Sequence, residues 1–244
     1  MRPDRVTRAL VIAAAVAVGC THALSDPAPS LASLAPSLVC SAQATSAVTL
    51  AGANLTPLPT RTLAGGEALV LPIVTLHGAT DLTPAVRWES EQQLSFDVPA
   101  ELAPGVYDVT VGNPDGRSAT LPGALALVAA PSVSSAPPQI CDQQADQTIT
   151  LTGQGFLVVG SGQPTVDVYD GTGAIVLTAM ATTSGCTPVA APAGEAVSAC
   201  TTLAFTVAKN ALTPGTYTLR VVDPPPAACQ SPDGVTLTIM RGKC

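Results

Sequence analysis

Few residues in this chain are of types that do chemistry, and their spacing limits what each could do. His77 and Asp81, in "HGATD", are close enough for a carboxylate to orient an imidazole as a base. Glu89 and Glu91, in "RWESEQQ", stand two apart and would share one face of a strand. A glycosidase needs two carboxyls facing each other across a cleft, about 5 or 6.5–9.5 Å apart, whereas neighbours on one strand face are ordinarily just solvated. The phrases "NPDG" (113–116) and "YDGTG" (169–173) each set an Asp among hard oxygen donors of the kind a cation takes. Calcium wants six to eight oxygens, and one carboxylate is few. Pro-Asp-Gly and Asp-Gly are turn formers, so both phrases are read as turns. No G-x-S-x-G phrase occurs, and a polar strand end is the simpler reading of His77. The expectation is a protein that is not an enzyme and holds no cofactor. Trp88 could stack on a sugar ring, but such platforms need two or three coplanar aromatics. The chain has only 3 Phe, 1 Trp and 3 Tyr. Trp88 is read as core or partly buried, with a carbohydrate-binding role as the alternative.

The seven cysteines carry more information. "MRPDRVTR" puts three Arg ahead of the apolar run "ALVIAAAVAVG", which stops at Cys20. That run is too short for a membrane span of about 20 residues and has the form of an export signal. Its end, "AVGC" (17–20), resembles the lipobox of bacterial lipoproteins, with Ala17 where that motif most often has Leu. The resemblance implies cleavage after residue 19 and acylation of Cys20, a stable anchor where two or more chains are attached. Ordinary signal cleavage, with Cys20 incidental, is the alternative. Thr21 in place of Asp leans toward an outer-membrane destination, on the periplasmic or the surface face. The Ala/Pro/Ser-rich stretch that follows, to about residue 34, reads as a flexible tether. Cys40, Cys141, Cys186, Cys200, Cys229 and Cys244 remain, an even set that in an exported chain reads as disulfides. No CxxC or CxxH pair occurs, so no metal site is expected.

Without residues 1–19 the chain keeps 7 basic and 16 acidic residues, a net charge of 7 − 16 = −9. That balance excludes nucleic acid as a partner, because phosphates demand a basic face. It also disfavours electrostatic docking on anionic lipid. With 23 Pro, 20 Gly and 47% hydrophobic residues, the chain shows no amphipathic helical pattern and enough apolar content for β-rich cores.

The chain repeats itself. "APSLVCSAQATSAVTLAGANL" (35–55) aligns with "APPQICDQQADQTITLTGQGF" (136–156), setting Cys40 against Cys141 and Leu50 against Leu151. "LSFDVPAELAPGVYDVTV" (94–111) aligns with "LAFTVAKNALTPGTYTLRV" (203–221). Two units follow, 35–129 and 130–244, meeting at "AAPSVSSAPP". In "VYDVTVG" the alternation sends Tyr107, Val109 and Val111 inward; in "TYTLRVV" it sends Tyr217, Leu219 and Val221 inward. Short alternating strands with Gly/Pro turns predict two all-β sandwiches. The strand layout of 56–85 stays unassigned.

"VTLAGANL", "ITLTGQGF" and the phrase around "L-x-P-G-x-Y-x-V-x-V-x-N-P-D-G" resemble the IPT/TIG family of immunoglobulin-like domains, over essentially all of 35–239. The resemblance implies the fold but no single function. A Tyr just after Pro-Gly is where such a sandwich places its tyrosine corner. Cys186 and Cys200 flank an insert absent from the first unit, and they make the firmest pair. Taking the sandwich topology as given, the first strand and the last run parallel. That places Cys141 near Cys244, and Cys229, in the last hairpin of unit two, near Cys40 at the junction. The pairing expected is Cys40–Cys229 between units and Cys141–Cys244 within unit two, with Cys141–Cys229 as the rival among 15 connectivities for six cysteines. The function expected is a non-catalytic surface or periplasmic module for binding, adhesion or structure. Its partners would be the membrane through Cys20 and an unidentified protein or glycan.

Overall fold

The computed structural model describes residues 27–41, 46–61, 65–100, 102–137, 139–141 and 145–242, and among these there is no helix. Cys20 and Cys244 lie outside the described residues. Unit one contributes β1 (Ser30–Ala35), β2 (Leu38–Cys40), β3 (Ser46–Ala53), β4 (Leu58–Arg61) and β5 (Glu67–Val70). It continues with β6 (Ile73–His77), β7 (Val86–Ser90), β8 (Gln93–Val98), β9 (Gly105–Gly112) and β10 (Ser118–Val128). One sheet runs β1-β3-β8-β7 and faces a second, β2-β10-β9-β6. The first strand is divided between the layers. β1 pairs antiparallel with β3, the chain turns at Pro36, and β2 pairs parallel with β10. This is the strand order of an immunoglobulin-like sandwich.

Alternation produces the core. Tyr107, Val109 and Val111 of β9 are buried, and they meet Val48 and Leu50 of β3 and Leu94 and Phe96 of β8 inside the sandwich. The solvent-facing set is polar and makes cross-strand contacts: the Thr110 and Thr120 hydroxyls lie 2.8 Å apart. Asp108 accepts the Gly123 N–H at 2.7 Å, where β10 slips register between Leu121 and Leu125.

Two expectations need correction. Residues 30–34 are not tether but most of β1. Leu34 is buried and Leu31 packs on the core; they stand three apart, and the register shift between Leu31 and Ser33 lets both hold the segment down. The Ala/Pro/Ser composition conceals them. Glu91 does not share a strand face with Glu89. β7 ends at Ser90, and Glu91 sits in the turn to β8, where its carbonyl accepts the Leu55 N–H at 2.9 Å. The stretch 56–85 holds β6 and a separate hairpin, β4 against β5.

Unit two contributes β11 (Ser132–Ser135), β12 (Gln139–Cys141), β13 (Gln147–Val159), β14 (Thr165–Tyr169) and β15 (Ile175–Ser184). Then come β16 (Thr187–Pro188), β17 (Val197–Val207), β18 (Gly215–Val222) and β19 (Val235–Met240). The order is again that of unit one: β11-β13-β17 on one side and β14-β18-β19-β12 on the other, with β12 parallel to β19. Here β15 belongs to both layers. Its first half pairs with β14, and Ala181–Ser184 pairs with β17, so one strand turns the corner between sheets. Buried Ala179 and Ala181 keep that corner small. The core gathers Ile149, Leu151, Phe156, Leu203, Phe205, Leu219 and Leu237.

Each unit carries a tyrosine corner. The Tyr107 hydroxyl donates to Ala103 O, and the Tyr217 hydroxyl to Thr213 O, both at 2.8 Å. Pro-Gly turns the chain there, and the Tyr ties that turn to its strand.

Candidate functional site: the interdomain junction

The feature that sets this molecule apart from two independent beads is where the units meet. β10 ends at Val128 and β11 begins at Ser132, so the linker is Ala129, Ala130 and Pro131. Such a short connector leaves the last strand of unit one against the loops at the near end of unit two. Those loops are apolar. Leu38, Cys40, Ala126 and Val128 of unit one pack with Leu157, Val197, Ala227 and Cys229 of unit two, forming a third small core between the sandwiches. All eight are buried, Leu38 and Cys229 completely.

A covalent bond crosses the same contact. Cys40, at the end of β2, and Cys229, in the loop between β18 and β19, are disulfide-bonded with Cα atoms 5.2 Å apart. The insert that lengthens this loop in unit two is what carries Cys229 to the partner sandwich. Ser37 donates its hydroxyl hydrogen bond to the Glu195 carboxylate across the junction. A second disulfide, Cys186–Cys200, closes the loop from β15 to β17. Glu195 lies inside that loop, so the clip holds the segment that meets unit one. Cys141 is also disulfide-bonded.

Asp223 is the least expected residue at this end of unit two. It follows β18 directly and is 2% exposed. Its Oδ1 accepts the Leu157 N–H at 2.9 Å, and its own N–H donates to Cys229 O at 2.8 Å. Its Oδ2 is buried without a hydrogen-bond partner. Burial pushes its carboxyl up to about 7, against the opposing pull of the Leu157 N–H. Set directly before three prolines in "VVDPPP", the acid shows no local sign of burial, and sequence reasoning missed it. The available signal was its register with Asn113, since both follow the same strand in the two copies.

Of the residues with candidate chemistry, the described structure brings together His77 and Asp81, on an exposed strand end. His77 Nδ1 stands 3.1 Å from Asp81 Oδ1, with both side chains well exposed. Glu89 accepts from the Gln93 amide at 2.6 Å. Asp115 accepts from Arg117 three times: the backbone N–H at 2.9 Å, Nε at 2.9 Å and Nη2 at 2.6 Å. The backbone bond first, then the guanidinium, holds the Asp115 carboxyl below its usual range. Asp170 is lowered by the Thr172 hydroxyl and by the Ala174 and Thr172 N–H groups, and it closes the turn from β14 to β15. Both Asp-Gly phrases are thus self-satisfied turns. Among the described residues no group of three or more His, Cys, Asp or Glu side chains could hold a metal ion. Trp88 is half-buried, packs on the core of unit one, and donates Nε1–H to Leu55 O at 2.7 Å.

No family model matches the chain, and no curated protein matches it. Among solved structures it is similar to the two immunoglobulin domains of DIP-gamma, at 15% identity over 89% of this chain and 99% of that one, with a TM-score of 0.28. It is also similar to the BSP domain of a biofilm-associated protein, at 14% identity over 88% of this chain and 30% of that one, with a TM-score of 0.23. A third is SGBP-B of the Bacteroides ovatus mixed-linkage glucan utilization locus, in complex with a mixed-linkage heptasaccharide, at 13% identity over 82% of this chain and 54% of that one, with a TM-score of 0.25. The fold assignment rests on strand order and register.

Proposed function

We propose that this chain is an exported lipoprotein, anchored through acylated Cys20 at a bacterial outer membrane, whose two IPT/TIG-like units form a stiff, non-catalytic binding or adhesion module. The observation that carries this reading is the junction. A disulfide, a buried apolar contact and a three-residue linker fix the second sandwich relative to the first. Such a brace suits a module that must hold a binding surface at a fixed place relative to its anchor. The free end of unit two carries the β14–β15 turn and the β17–β18 loop, which are surfaces of the kind that recognise partners.

The test places a photo-crosslinking amino acid at Thr172 or Asn210 in the full chain, in its native membrane. Specific adducts at these positions, absent from the same probe at Thr120 on the sheet face, support the reading. Equal labelling at all three sites removes it. Anchoring is tested separately: Cys20→Ser moves the protein from the membrane fraction to the soluble one, and unchanged partitioning refutes acylation.

A further inference from the structure

The hairpin β4–β5 is the part of unit one that the sandwich does not use. It forms its own two-stranded sheet, with Leu58 opposite Val70, Pro59 opposite Leu69, Thr60 opposite Ala68 and Arg61 opposite Glu67. Leu58, Leu69 and Val70 are 46%, 51% and 44% exposed, and Ile73, at the start of β6, is 56% exposed. Because side chains alternate across a strand, Leu58 and Val70 share one face while Pro59 and Leu69 share the other. A hairpin that docks on a protein needs one apolar face. This one is apolar on both, which suits immersion in an apolar medium.

The place of the hairpin names the medium. Its base lies at the end of unit one remote from the junction, beside the last residues of β3. Ser30 pairs with Ala53 there, and the Asn54 side-chain amide donates to Ala28 O at 3.2 Å. The chain therefore leaves unit one toward its N-terminus at the hairpin end. From Cys20 to Ser30 is ten residue steps, so a fully extended connection reaches at most about 35 Å. An anchor at Cys20 keeps this end of the molecule against the bilayer. Charge offers modest resistance: Arg61 lies 3.9 Å from Glu67, and Arg117 pairs with Asp115 on the β9–β10 turn at the same end, leaving Glu89 and Glu91 around the β7–β8 turn. A lone hairpin has unpaired edge groups, so it belongs in the hydrated headgroup–acyl boundary and not in the hydrocarbon interior.

We propose that the β4–β5 hairpin, with Ile73, is a second membrane contact, seating Leu58, Leu69 and Val70 among lipid headgroups and setting how unit one stands on the bilayer. This rests on the anchored reading above, and the experiment separates the two. The full chain, made with its signal in a bacterial host, is reconstituted into phosphatidylethanolamine vesicles containing a diazirine-acyl lipid, photolysed and mapped by peptide mass spectrometry. The acyl mass on the Cys20 peptide reports the anchor independently. Lipid adducts on 58–61 and 67–73 should exceed by about fivefold those on Ile175, Val176 and Met180 of unit two, which are as exposed or more so. They should be indifferent to salt and fall to the unit-two level in Leu58→Asp/Leu69→Asp, with thermal unfolding and Cys20 acylation unchanged. Equal adducts on both regions, or none on the hairpin, overturn the proposal. If Cys20 carries no acyl chain, the anchored reading fails and flotation with the same vesicles decides the hairpin. Binding lost in the double Asp variant upholds it, and no binding overturns it.

Discussion

Asn113 and Asp223 stand at the same place in the two units, buried directly after β9 and β18, and they meet the neighbouring sheet with opposite polarity. Asn113 donates through Nδ2 to Asn54 O at 2.7 Å, whereas Asp223 accepts at Oδ1 from Leu157 N at 2.9 Å. Asn113 leaves its Oδ1 and Asp223 its Oδ2 buried without a partner. One fold position thus closes the end of the second-strand region in both sandwiches, once with a neutral amide and once with an acid.

The acid makes stability depend on pH. The folded carboxyl of Asp223 titrates at about 7, above the ordinary Asp range, so the native state holds its proton more tightly than the unfolded chain. Below about pH 4 both states are protonated and nothing is lost; between about 4 and 7 the unfolded chain ionises first, and stability falls as pH rises. Above 7 the full cost, on the order of 4 kcal/mol, is in place. Asp223→Asn should therefore raise Tm at pH 8, change little at pH 4, and flatten the slope between them. Scanning calorimetry with the disulfides intact checks this. Equal Tm shifts at both pH values would contradict a buried ionisation.

The tyrosine corners can be weighed with single oxygen atoms. Tyr107→Phe and Tyr217→Phe keep the ring and remove a hydroxyl that donates to a carbonyl four residues upstream. Each should cost about 0.5–1.5 kcal/mol, the net worth of one hydrogen bond. Denaturant midpoints at constant m measure the loss. Tyr217→Phe should be the costlier, since its oxygen also meets the Thr213 hydroxyl at 3.2 Å.

These corners belong to the part of the fold that the sequence makes legible. Tyr107 and Tyr217 follow Pro-Gly in strands of strict alternation, and buried side chains at period two leave a visible pattern. β1 was concealed because Leu31 and Leu34 are diluted by Ala, Ser and Pro in a stretch with the composition of a linker. β4–β5 was concealed because a hairpin exposed on both faces has no inward set to alternate. The corner strand β15 changes layers between Met180 and Ala181, a decision made by its neighbours and not by its own residues. Asp223 was hidden among prolines, and only its burial shows that it is not a surface turn residue.

The Asp-Gly turns should ignore calcium. Both Asp115 oxygens are already engaged by Arg117, one of them by two guanidinium nitrogens, and a cation would have to displace the guanidinium to reach them. Millimolar calcium, or a chelator, should leave Tm unchanged, while Arg117→Ala should open the turn. A calcium-dependent rise in Tm in the unsubstituted protein would restore the cation reading.

The junction makes the most demanding prediction, because its two fastenings act on different things. The Cys186–Cys200 clip closes a loop of 14 residues within unit two. Its loss should cost about 3 kcal/mol by the loop-entropy account, and only unit two should feel it. Cys40–Cys229 spans 189 residues and ties one sandwich to the other, so its loss should act on coupling. The Cys40→Ser/Cys229→Ser chain retains the contact of Leu38 with its neighbours, but each hydroxyl now lies buried in an apolar setting with no partner assured. That should loosen the contact and let the units turn about Ala129–Pro131. Calorimetry should then resolve two transitions where the disulfide-bonded chain shows one, and small-angle scattering should report a broader distribution of maximum dimension. A single transition with unchanged scattering in the double Ser variant would mean that the small apolar core alone holds the two sandwiches together.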